Sequence, residues 1–192
     1  MNKLLCTAAV LSILVLPGCA SNHLAFQPIM DPRQSPAMSS GYVAGMFSRE
    51  WGAGKTSFGL GIVNTATAEE YVMPFGVDTG LPRNVIDEVV MIQLPPGEYR
   101  IAYWLIYSSK EKKKISQTSI PPESLTGSRF KLASGEVVFT GSHVAREERN
   151  NGSEKTPSVH HQRLTLRSAQ KALSSSYPAF MAQPVSCPGC MD

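Results

Sequence analysis

The stretch "YRIAYWLIYS" (Tyr99–Ser108) decides the fold. On an extended chain successive side chains point to opposite faces, so Tyr99, Ile101, Tyr103, Leu105 and Tyr107 share one face, and Ala102, Trp104 and Ile106 the other. Both faces are apolar, which places this strand at the centre of a core rather than on a wetted surface. "LPPGEY" (94–99) sets a turn ahead of it, with Pro96 fixing φ and Gly97 free to take positive φ. Outward in both directions the same chemistry repeats. "GYVAGMF" (41–47), "TSFGLGIVN" (56–64), "EEYVMPFG" (69–76), "VVMIQL" (89–94), "EVVFTGSHV" (136–144) and "HHQRLTLR" (160–167) are rich in β-branched and aromatic residues. Gly, Pro, Asn and Ser punctuate them. About seven short strands in sequence predict a mainly β protein, an antiparallel β-sandwich of Ig-like or transthyretin-like type over residues 41–180. Helical periodicity is confined to "SAQKALSSSYPAF" (168–180), where Ser168 caps a short C-terminal helix that runs through Leu173 and ends before Pro178.

"VVMIQLPPGEYRIAYW" (89–104), then "FKLASGEVVFTGSH" (130–143) and the closing "RLTLRSAQKALSSSYP" (163–178), resemble small envelope lipoprotein domains of uncharacterised function. In those families a strand leads into Pro-Gly-x-Tyr, a later strand opens with Gly-Glu, and the chain ends in a short helix and Tyr-Pro. The resemblance spans roughly residues 85 to 180 and implies the fold. It implies no catalytic residues.

The chain has 192 residues, 42% hydrophobic and 17% charged, with a formal net charge of +3. That balance suits one globular domain with an appendage, and it is too weakly basic to argue for nucleic acid. The N-terminus reads differently. "MNKLLCTAAVLSILVLPGCASN" carries Lys3 and then 13 residues, Leu4 to Leu16, without a charge. This is the length of a signal-peptide core and short of the ~18 residues a spanning helix requires. Leu16-Pro17-Gly18-Cys19 resembles the lipobox of bacterial lipoproteins, apart from Pro17. The resemblance implies a signal peptide over 1–18, acylation of Cys19 as the first mature residue and, with Ala20 following, retention at the outer membrane. A cut after Ala20, using Gly18 and Ala20 as an ordinary signal site, is the competing outcome and would discard Cys19. Residues 19–40, with Pro28, Pro32 and Pro36, read as an extended tether. The alternative is a first strand using Leu24, Phe26, Ile29 and Met30.

Four stretches carry candidate chemistry. "WGAGKTSF" (51–58) has the Gly-Lys-Thr of a phosphate-binding loop, but Arg49 stands where the first glycine is needed, and no helix pattern follows. The expectation is a hairpin turn of Gly52, Ala53 and Gly54, and no nucleotide. "SCPGCMD" (186–192) holds Cys187 and Cys190 in a tail running from 181 to 192. A redox site needs a helix start to stabilise a thiolate, and only two residues follow. A zinc site needs four ligands. His143, His160 and His161 are the available histidines, and adjacent His160 and His161 face opposite ways on a strand. The expectation is a structural disulfide, with redox or metal chemistry at this pair as the alternative. "SSKEKKKIS" (108–116), with Lys110, Lys112, Lys113 and Lys114, reads as a solvated hairpin tip or a contact for an anionic surface. "AREERNNGSEKTP" (145–157) reads as a long polar loop. No nucleophile elbow occurs. The expectation is a non-catalytic module without cofactor, whose partners are the membrane through its lipid and an envelope protein or anionic envelope polymer.

Overall fold

The structure, a computed structural model, describes residues 24–49, 56–75, 85–108, 110–124, 127, 129–149 and 155–191. The signal segment with Cys19, and the Gly52–Gly54 turn, lie outside the described residues. Along the chain come β1 (Gly41–Arg49), β2 (Thr56–Asn64), β3 (Glu70–Phe75), β4 (Val85–Leu94) and β5 (Gly97–Ser108). They are followed by β6 (Lys114–Ser119), β7 (Arg129–Leu132), β8 (Val137–Arg149), β9 (Lys155–Gln162), the helix α1 (Leu166–Ser176), a 3₁₀ turn (Pro178–Phe180) and β10 (Val185–Ser186).

These strands form the two sheets of a β-sandwich. One runs β4-β1-β8, with β9 and β10 sharing the outer edge of β8; the other runs β3-β2-β5, with β6 and β7 sharing the outer edge of β5. Pairing is antiparallel except for β8, which lies parallel to β1 and to β10. β1 and β2 belong to different sheets and do not pair, so they are not the two arms of the expected hairpin. A strand, β2, follows the Gly-Lys-Thr, so no helix start is present to hold a phosphate.

Between the sheets lies an apolar core that includes Val43 and Phe47 of β1, Leu60 and Ile62 of β2, and Phe75 of β3, all at or below 1% exposure. Phe47 stacks on Phe75 across it, ring centroids 4.2 Å apart. Each such side chain contributes about 1.5–3 kcal/mol by leaving water, so this layer fixes the register of both sheets.

β5 departs from strict alternation. Gly61 pairs with Tyr103 and Ile62 with Ile101, which leaves Ala102 as an extra residue on β5. This bulge turns the strand over. Tyr99, Ile101 and Ile106 face the core with Trp104 packed beside them, while Tyr103, Leu105 and Tyr107 face outward. The expected face of five alternating residues is therefore divided at Ala102. The outward Tyr103 ring lies where a Cβ on Gly61 would be, so only glycine admits it there. Gly97 opens β5 without positive φ; among the described glycines Gly135 and Gly141 have it.

Both outer faces are also covered. On the β2–β5 face Leu24 and Phe26 pack over Val72, Leu105 and Tyr107. The same segment hydrogen-bonds the edge of β3, Val72 N–H to Ala25 O and Gln27 N–H to Val72 O, each 2.9 Å. It then bonds the edge of β4 through Met30 N–H to Met91 O, 2.8 Å. Residues 24–30, part of the stretch that reads as a tether, are thus laid along two sheet edges. On the β1–β8 face, Ala169 and Leu173 of α1, with Tyr177 and Phe180, pack on Tyr42, Met91 and Phe139.

Three boundaries differ from expectation. The helix begins at Leu166, and its cap is Thr165, whose side chain accepts from Ser168 N–H. "HHQRLTLR" is accordingly strand only through Gln162. The polar stretch 145–157 is largely ladder: β8 extends to Arg149 and pairs with β9 from Lys155 onward. The lysine stretch is the tip of the β5–β6 hairpin, closed by Ser108 N–H to Lys113 O, 2.9 Å.

Candidate functional site

The site is built where β8 breaks its own alternation. Ala44 of β1 pairs with Phe139 and Met46 with Ser142, so Thr140 and Gly141 together oppose Gly45. Gly141 sits at φ +106, a conformation side-chain-bearing residues rarely adopt, and a Cβ there would strike His161 Nε2. The bulge turns the buried Thr140 side chain inward, where Oγ1 donates to Ala44 O at 3.1 Å. A hydroxyl has one proton, so Thr140 Oγ1 accepts from its other neighbour, His143 Nε2–H, at 3.2 Å. His161 is the register partner of His143 on β9, and its Nε2–H donates to the Thr140 carbonyl at 3.2 Å. Both rings therefore carry their proton on Nε2, which leaves each Nδ1 as a bare acceptor.

Burial holds His143 neutral. The side chain is 1% exposed, and desolvation, followed by the nearby His161, pushes its pKa down to about 3. His161 is also pushed down by burial and by the positive charge of Arg163, against the opposing effect of its bond to the Thr140 carbonyl. The rings stand 5.3 Å apart with a 58° tilt, and Phe47 stacks on one face of His143 at 5.2 Å.

These two histidines line a cavity of about 270 Å³ between the sheets. Leu60, Trp104 and Ser119 form the wall from the β2–β5 sheet, and Val159 flanks His161 on β9. Ile120 and Ser124, from the connection after β6, close one side. The walls are apolar apart from the imidazoles and two serine hydroxyls. A neutral molecule fits this lining better than an ion, because neither ring takes up a proton near neutral pH and the core side is desolvated.

Of the residues singled out from sequence, His143 and His161 meet here, but away from any metal set among the described residues; the cysteines, His160 and the lysines lie elsewhere. Cys187 and Cys190 form a disulfide. They are half-buried against the α1 cluster, with a tight turn closed by Cys190 N–H to Cys187 O at 3.1 Å. Gly189, inside that turn, comes close to His161, where an added Cβ would lie 3.4 Å from its Cε1. The disulfide turn therefore backs the histidine site without entering it. His160 is exposed on the opposite face from His161 and bonds Ser158 Oγ at 3.0 Å. Among the described residues no three His, Cys, Asp or Glu side chains come together to hold a metal ion. Lys112 places its ammonium 5.5 Å from the ring centroids of both Phe26 and Tyr107. Cys19 lies outside the described residues.

The sequence offers His143 and His161 only as possible ligands beside the cysteine pair; their meeting each other is not legible there, although one signal is present. Gly141 interrupts "EVVFTGSHV", and glycine inside a strand pattern marks a bulge or a close approach.

No protein-family model matches the chain, and no curated protein is significantly similar to it.

Proposed function

We propose that the protein is an exported lipoprotein, anchored through an acylated Cys19 to the periplasmic face of a bacterial outer membrane, and that it acts as a non-catalytic binding or structural module of the envelope. The observation that carries this reading is the Cys187–Cys190 disulfide. Disulfides persist in oxidising compartments and are rare in the cytosol, which agrees with the signal-peptide pattern of residues 1–18. The pair follows α1 instead of opening a helix, so nothing stabilises a reactive thiolate, and half-burial on the α1 cluster suits a staple for the tail. This favours the structural role over redox or metal chemistry. Surfaces for an envelope partner are at hand: all six side chains of β6 are exposed, a strand of a kind that accepts pairing from another chain, and it continues from the lysine tip.

Intact mass of the protein extracted from membranes, with and without reductant, tests this. The expected species begins at Cys19, carries acyl mass, and gains ~2 Da on reduction. A chain beginning at Ser21 removes the anchor. Free thiols before reduction remove the disulfide role.

A further inference from the structure

We propose that the cavity between the sheets is a binding site for a small neutral molecule with an aromatic or alicyclic body and one O–H or N–H donor, of the phenol or indole class. The donor is received by Nδ1 of His143, and the body lies against Trp104 and Ile120. This rests on the binding half of the function proposed above and is independent of the anchor.

The argument begins with what His143 has left to offer. Nε2–H is committed to Thr140, which in turn is committed to Ala44 O. Phe47 occupies one ring face. The ring is 1% exposed and lines the cavity, so its remaining edge, with Nδ1, is its polar contribution there. Among the described residues Nδ1 has no hydrogen-bond partner. A ligand donor gives this acceptor a partner, a gain of about 0.5–1.5 kcal/mol net. The charge of the ligand follows from the same groups. Protonated amines and metal ions meet Arg163 beside His161 and only two imidazoles, and anions meet bare nitrogen lone pairs. A neutral donor meets neither obstacle.

Size narrows the class further. An enclosed apolar cavity of roughly 150 Å³ accepts benzene, and this pocket, open on one side, offers about 270 Å³, room for one ring with a short substituent or a fused pair. Trp104 is half-buried at the wall and presents an aromatic surface, and offset or edge-on ring contacts add roughly 0.5–1.5 kcal/mol to apolar burial. A sugar does not match, because the lining has too few polar groups for it.

The test is calorimetric titration of the purified chain with 4-ethylphenol and with 4-ethylanisole, whose donor is methylated. The phenol is expected to bind roughly fivefold to tenfold tighter, the range of one net hydrogen bond. On binding, the ¹⁵N resonance of His143 Nδ1 is expected to shift while that of Nε2 stays. His143→Phe should bring the two affinities together. Val159→Trp, at a half-buried wall position that tolerates substitution better, should abolish binding of both with the melting transition retained. Equal affinity for phenol and anisole, no heat from either up to their solubility, or binding unchanged in Val159→Trp would each overturn the proposal. So would tight binding of Zn²⁺ that shifts both Nδ1 resonances, which would make the site a metal site. None of these outcomes alters the mass of the membrane-extracted protein, so failure here is distinguishable from failure of the anchor.

Discussion

At the scale of single residues, Thr140 sets the tautomers of two histidines, and burial sets their charge. The consequence is a stability that depends on pH. An unfolded histidine takes up its proton near 6.5, whereas folded His143 does so only near 3, and His161 is shifted in the same direction. The unfolded chain therefore binds more protons throughout that window. The stabilisation is fully present above about pH 6.5 and is lost as pH falls toward 3, with a slope of up to about 1.4 kcal/mol per pH unit for each histidine. The groups facing His143 are Thr140, Phe47 and His161, with Arg163 beside the last; no carboxylate stands among these contacts to offset the loss. Urea midpoints measured at pH 7 and pH 5 should fall steeply for the parent and less for His143→Phe, which keeps the stack on Phe47. Parallel curves for the two proteins would show that His143 does not carry the acid sensitivity.

Among the elements, β5 determines the most. Its bulge at Ala102 lets one strand supply Tyr99, Ile101, Trp104 and Ile106 to the inter-sheet core and Tyr103, Leu105 and Tyr107 to the outer face. Deleting Ala102 removes the extra residue and keeps both sets on their faces, because Ile101 then precedes Tyr103 directly and the alternation runs unbroken. The expected result is a retained cooperative thermal transition and retained near-ultraviolet dichroism; loss of both would contradict the phasing role given to the bulge. The strand itself was legible in the sequence because ten residues of β-branched and aromatic character admit little else. The bulge was not, since both faces are apolar and a slip of one residue leaves the pattern looking the same. β7, with four residues, and β10, with two, were missed because segments so short carry no period of their own and exist only through their pairing with β5 and β8. Thr165 was passed over as the cap because it stands in a run, "HHQRLTLR", whose alternation also fits a strand. The disulfide pair needed only its spacing to be seen. The histidine pair needed the register of β8 and β9, which no local pattern contains.

At the scale of the molecule, the segment from Leu24 to Met30 binds the edges of one strand from each sheet, β3 and β4. Three prolines hid this, since docking depends on Leu24, Phe26 and Met30 and not on a period. If Cys19 bears the lipid, only four residues separate it from Leu24, and five Cα-to-Cα steps make a leash of at most about 18 Å. Such an anchor would hold the body at the bilayer in a restricted set of orientations instead of letting it range at the end of a long arm. Lys112, lying over Phe26, brings the tip of the lysine hairpin to the part of the molecule near Leu24, so an anchor at Cys19 would bring that tip near the lipid headgroups. Near an anionic surface each contributes ~1 kcal/mol. Replacing Lys110, Lys112, Lys113 and Lys114 with glutamine should weaken binding of the acylated protein to phosphatidylglycerol vesicles about tenfold or more and leave binding to phosphatidylcholine vesicles unchanged. Equal binding of both proteins to both vesicles would leave the lipid as the sole hold. Were the hairpin so engaged, membrane charge would govern which way the sandwich leans, and so which of its edges a neighbour could reach.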